Sequence, residues 1–189
     1  MAYLQINGNL VHYQLEGLEQ GPVLLFSNSL GSDLTMWNDV VEPLRSHFRI
    51  LRYDTIGHGQ TPPSLEPISI ADLGQDVLGL LDALGIAKVH FCGLSMGGLI
   101  GQWLAVHHPD RIDKLVLCNT AARIGTVAAW NDRINTVSQQ GISSIADAVL
   151  NRWLTDGFQQ ANPESTARLL TMIKANTAEG HVACSAVLR

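Results

Sequence analysis

Up to Thr120 the apolar residues fall into short, closely spaced runs; beyond it they fall into stripes at helical spacing. Residues 3–6 and 10–16 flank Asn7-Gly8, two residue types that accept the positive backbone angles of a tight hairpin, so an antiparallel start is expected. Four apolar runs follow: PVLLFS at 22–27, FRILRYD at 48–54, KVHFC at 88–92 and KLVLC at 114–118. Such runs, separated by helical stretches, predict parallel strands covered on both faces. KLVLC in particular reads as a central strand, apolar on both faces, that without later strands becomes an open edge lacking its pairing partner.

Between the runs, Leu73, Val77, Leu80, Leu81 and Leu84 form one stripe of a helix, opened by Ser69 and Asp72 in the manner of a capping box and closed by Gly85. Trp37, Val40, Val41 and Leu44 make a weaker stripe, which Pro43 must kink or shorten. Past Thr120, Ile142, Ile145, Val149 and Trp153 form one stripe, and Pro163 opens another that carries Leu169, Leu170 and Ile173. The pattern predicts an α/β core over residues 1–120 and a helical cap or lid over 121–189.

Composition narrows the class. The 189 residues are 46% hydrophobic and 15% charged, with no run long enough to cross a bilayer, as in an ordinary soluble globular protein. The first residues lack a basic segment followed by an apolar one, so no secretory leader is visible and the cytoplasm is the expected compartment. A net charge of −5 with scattered basic residues argues against nucleic acid, and nothing suggests a membrane role. An anionic ligand would need a local arginine. Cys92, Cys118 and Cys184 lack metal-ligand spacing and read as small buried side chains.

The sharpest chemical signal is FCGLSMGG at 91–98, in which Gly93, Ser95 and Gly97 fit G-x-S-x-G between a strand and a helix. That context marks Ser95 as the nucleophile on a sharp turn, with the helix start favouring developing negative charge. The spacing of neither a dinucleotide fingerprint nor a P-loop is present. Acyl transfer also needs an oxyanion hole. Met96, the residue after the nucleophile, and Leu30, in the loop SNSLGS at 27–32, are the expected backbone donors.

A general base is harder to find. Among seven histidines, His90 lies roughly 16 Å back along its strand, and His107 and His108 roughly 18 Å down the next helix. His12 and His47 read as surface residues, and His181 lies in the helical tail. His58, between two glycines after the FRILRYD run, is the one near candidate. In folds with this turn the acid and then the histidine follow on later strands, so both are expected beyond residue 189. The closing HVACSAVLR shows no helix stop signal.

DTIGHGQT at 54–61 and the serine turn resemble the α/β-hydrolase superfamily; SNSLG at 27–31, GLSMGGLIGQWLA at 93–105 and CNTAARIGT at 118–126 resemble, more narrowly, the 3-oxoadipate enol-lactonases. The resemblance covers the whole chain but only the earlier part of that family's length. Asn28-Ser29 stands where the superfamily commonly has His-Gly. The resemblance implies that Ser95 attacks the carbonyl of a small anionic enol-lactone from aromatic-acid breakdown, that Leu30 and Met96 hold the oxyanion, and that no metal or organic cofactor takes part. It implies a cation in the lid, with Arg123, Trp130 and Arg133 as candidates for the substrate carboxylate. Serine rather than aspartate at the turn independently favours ester or lactone chemistry. Another esterase, a perhydrolase-like enzyme and a non-catalytic binding protein of the same fold remain as alternatives. These 189 residues alone are expected to be inactive, and the oligomeric state is open.

Overall fold

A computed structural model describes residues 2–189. The elements follow in the order β1 (Ala2–Ile6), β2 (Asn9–Gly17), β3 (Val23–Ser27), α1 (Asn38–Leu44), β4 (Arg49–Tyr53), α2 (Ile70–Ala83), β5 (Val89–Leu94), α3 (Met96–His107) and β6 (Ile112–Cys118). Five helices complete the described chain: α4 (Val127–Gln140), α5 (Ser143–Trp153), α6 (Asp156–Ala161), α7 (Pro163–Ala175) and α8 (Ala178–Leu188). The hairpin turns on Asn7 and Gly8 with φ of 49° and 87°, as its residue types require. Pro43 does shorten its helix: α1 ends one residue later, and Trp37 sits before it in a 3-10 turn.

α2 shows how the apolar stripe becomes packing. Ser69 and Asp72 form both halves of the capping box, and Leu73, Val77, Leu80 and Leu81 are buried in the main core. Each such side chain contributes about 2 kcal/mol relative to exposure. That outweighs the ~1 kcal/mol a helical glycine costs. Gly74 and Gly79 earn their place sterically, because a Cβ on either would strike the Trp103 ring or Ile6.

The six strands lie in the order β1-β2-β4-β3-β5-β6, with β2 antiparallel to β4 and β3 to β6 mutually parallel. From β3 the chain crosses first to β4 on one side and later to β5 on the other. The loops leaving β3 and β5 therefore diverge and open a crevice at the carboxyl ends of these strands, where open α/β sheets place their sites. Ser27 pairs with Gly93 there, so the two loops begin side by side.

KLVLC forms the expected open edge: β6 lies at the end of the sheet, with Val116 50% and Leu117 43% exposed, because no strand among the described residues pairs with its outer side. One expectation fails: His12 is not a surface residue. The pairing of β2 with β4 turns it inward, where it is 1% exposed and its Nδ1 lies 2.7 Å from Asp54 Oδ2. The helices after Thr120 also divide in an unforeseen way. α8 buries His181, Cys184 and Leu188, and Cys184 and Leu188 join the main core, whereas α5 and α7 form a separate apolar cluster over the crevice. Among the described residues no helix is long and apolar enough to cross a membrane.

Candidate active site

Ser95 joins β5 to α3 in one step, with φ 54° and ψ −112°. A non-glycine residue rarely adopts such angles, and the surroundings hold it there. Its N–H donates to the Cys118 carbonyl at 2.9 Å, and its carbonyl accepts from Thr120 Oγ1 at 2.8 Å. Close packing explains the glycines: a Cβ on Gly93 would collide with the Gly97 carbonyl, and one on Gly97 with the Ser27 carbonyl oxygen. The strand, the turn and the β3 loop thus touch backbone to backbone.

The β3 loop is held as firmly. Gly97 N–H donates to the Asn28 carbonyl at 3.0 Å. The Asn28 side chain, fully buried, donates to the Tyr53 carbonyl and accepts from Trp37 Nε1, both at 2.8 Å. Asn176 Nδ2 donates to the Gly31 carbonyl at 2.9 Å. Behind the loop, the Asp54 carboxylate accepts from Leu34 N–H at 2.7 Å and Gln60 N–H at 2.9 Å, besides its contact with His12. Burial raises the Asp54 pKa, and those hydrogen bonds oppose the rise. None of this tethering was legible beforehand, although Asn28 had stood out as unusual.

Leu30 and Met96 lie on the two sides of this junction. Among the described residues neither backbone N–H donates to another group of the chain. Both belong to the region where α3 begins and its dipole favours negative charge.

Ser95 opens onto a cavity of about 650 Å³. Its floor includes Ser29, Leu30 and Ser95, and its roof comes from α4, α5 and α7, with Trp130, Trp153 and Leu169. Arg133 lines it, but Arg123 does not; that residue stands exposed on the loop before α4. Arg152, an exposed helical charge that sequence reasoning did not single out, lines it too.

The structure brings none of the histidines to this cavity. His58 is buried away from it, with Nδ1 3.1 Å from the Ile56 carbonyl, and His181 packs beside Gly31 on the far side of the loop. Burial lowers the pKa of both, that of His181 to about 3 with help from the charges of His58 and Arg133.

A strained serine on a strand-to-helix turn thus opens onto a cavity at a sheet switch point, with the Leu30 and Met96 N–H groups unbonded nearby. The sequence profile of the alpha/beta hydrolase fold matches residues 22–141, and the chain belongs to that family. It is similar to 3-oxoadipate enol-lactonase 2 of Acinetobacter baylyi, 41% identical over 178 residues that make up 94% of this chain and 67% of that protein. The crystal structure of the enol-lactonase from Burkholderia xenovorans LB400 superposes with a TM-score of 0.97 at 43% identity, covering 99% of this chain and 73% of that one. A hydrolase from Pseudomonas aeruginosa PA01 gives 0.94 at 40% identity, covering 99% and 71%.

Proposed function

We propose that the chain carries the nucleophilic half of a serine hydrolase that opens a 3-oxoadipate enol-lactone. The observation behind this reading is the strained Ser95 turn with the unbonded Leu30 and Met96 N–H groups nearby, in a chain similar throughout its length to enol-lactonases. Ser95 Oγ adds to the lactone carbonyl as its proton passes to a base. The oxyanion sits between the two N–H donors, and the ring C–O bond then breaks. The enol leaving group takes up a proton and becomes a ketone. Water cleaves the acyl-enzyme to a second carboxylate, and no metal or organic cofactor is needed. Arg133, stacked on Trp130, faces the carboxylate that the substrate already carries.

No histidine lines the cavity among the described residues, so this reading assigns the base and its acid to sequence that the relatives have and these 189 residues do not cover. In the protein carrying both, Ser95→Ala should lower kcat for the enol-lactone by about 10⁴-fold or more with folding unchanged. The 189-residue chain alone should give no acyl-enzyme burst with an activated ester. Turnover surviving Ser95→Ala would refute the nucleophile, and turnover by the 189 residues alone would refute the external base.

A further inference from the structure

Away from the cavity, two thiols share one face of the sheet. Cys92 lies on β5 and Cys118 ends β6. These parallel strands pair Cys92 with Val116 and Leu94 with Cys118, so the two cysteines stand diagonally across the ladder and point to the same side. Both pack into one apolar cluster with Phe26 and Trp37, where Cys92 is 8% exposed. Cys118 is half-buried, and Val116, on the same face, is half exposed, which opens this end of the cluster to a small molecule. The third cysteine is elsewhere: Cys184 is fully buried on α8 and donates to the Ile56 carbonyl at 3.6 Å.

Strand spacing and rise put the Cα atoms of the diagonal pair about 8 Å apart. A disulfide needs them within about 7 Å, so a direct bond would have to drag the strands together. An atom held about 2.3 Å from each sulfur, the length of a thiolate–metal bond, closes the gap instead. Zinc does not suit the pair, because it takes four ligands and no group of three His, Cys, Asp or Glu side chains among the described residues could hold a metal ion. The surroundings also disfavour charge. Burial first, then the charge and hydrogen bond of the neighbouring Cys118, push the Cys92 thiol up to about 12, so a ligand that needs a standing thiolate pair is at a disadvantage. A fitting ligand takes two sulfurs, brings its own third bond and leaves a neutral product among apolar side chains. Trivalent organoarsenic meets all three conditions.

We infer that Cys92 and Cys118 form a two-sulfur site for trivalent organoarsenicals. An arylarsenoxide condenses with both thiols: the two S–H bonds and the arsenic–oxygen bond break, two S–As bonds form, and the oxygen leaves with both protons as water. Arsenic stays trivalent, and no oxidant is needed. Cys118, the more open thiol, reacts first, and Cys92 then closes the chelate. The occupied site ties β5 to β6 beside the Cys118 carbonyl that accepts the Ser95 N–H, without using the Ser95 side chain.

The full chain should be titrated with phenylarsine oxide, and its thiols then located by alkylation during brief unfolding and peptide mapping. One arsenic should bind per chain, protecting Cys92 and Cys118 but not Cys184. Dimercaptopropanol should strip it, whereas mercaptoethanol at the same concentration should not, because only a dithiol matches the chelate. The occupied chain should unfold at a higher temperature. Affinity should fall at least about 10-fold in urea, where the fold no longer holds the two thiols together.

Cys92→Ala and Cys118→Ala should each weaken binding by about 100-fold or more, while Cys184→Ala and Ser95→Ala should bind like the parent. Urea midpoints check that each variant folds, and the peptide map of the parent needs no variant. Binding that survives Cys118→Ala, that protects Cys184 instead, or that mercaptoethanol reverses as readily as the dithiol overturns the site. None of these outcomes bears on Ser95 as nucleophile.

Discussion

The floor and the roof of the cavity are built on different principles. At the floor, backbone meets backbone: Gly97 against Ser27, Ser95 N–H on the Cys118 carbonyl, and Asn28 bonded on both side-chain ends. At the roof, amphipathic helices meet through side chains, and two arginines face the cavity without counter-charge. The floor can hold a strained residue because many bonds oppose its relaxation. The roof has few comparable ties, so its residues can change what is bound without disturbing where Ser95 sits.

The most severe way to break this contrast is Gly97→Ala. Its methyl would strike the carbonyl oxygens of Ser27 and Asn28 at the end of β3, a strand paired on both sides that has nowhere to retreat. A loss of about 4 kcal/mol in stability is expected, with hydrolysis abolished, as read by urea unfolding and turnover. A variant of near-parent stability would show the floor to be softer than its packing implies.

Acid should find the floor next, from behind. The pKa of His181 is pushed down to about 3, below its ordinary value of 6.5, chiefly by burial. A histidine with a lowered folded pKa contributes stability that is present above pH 6.5 and is lost as the pH falls toward 3. The loss should approach about 4 kcal/mol at that end. His58 acts in the same direction. Asp54, raised by burial, acts in the opposite one, its contribution being lost as pH rises through its folded value. Urea midpoints measured across this range should fall with acid, and His181→Leu should flatten the slope. An unchanged slope would remove His181 from the account.

The mildest change tests the roof. Thr126 caps α4 by accepting from Ala129 N–H at 3.2 Å, and Thr126→Ala should cost about 1 kcal/mol with kcat nearly unchanged. A kcat loss as large as that of Gly97→Ala would mean that roof and floor are one rigid unit, and the contrast would fall.

Much of the core was legible from local pattern. The hairpin at Asn7-Gly8, the α2 stripe with its capping box, and the glycines around Ser95 each follow from rules that act within a few residues. The open edge at KLVLC was legible too, because its apolar residues call for cover and no later strand-like run among these residues supplies a partner. His12 was misjudged. An isolated histidine in a hairpin shows no sign of the Asp54 carboxylate that the β2–β4 pairing brings to it.

By itself, then, the sequence determined the order of elements and the strand-to-helix turn on which Ser95 sits, because periodicity, capping and the steric demands of a tight turn are local. Tertiary structure alone decided that β3 and β5 lie side by side, that Asn28 and Asp54 brace the loop between them, and that Arg133 and Arg152 line the cavity with Ser95 while Arg123 does not. Those juxtapositions join residues far apart in the chain. They depend on strand order and helix packing, which follow from burying all the apolar faces at once.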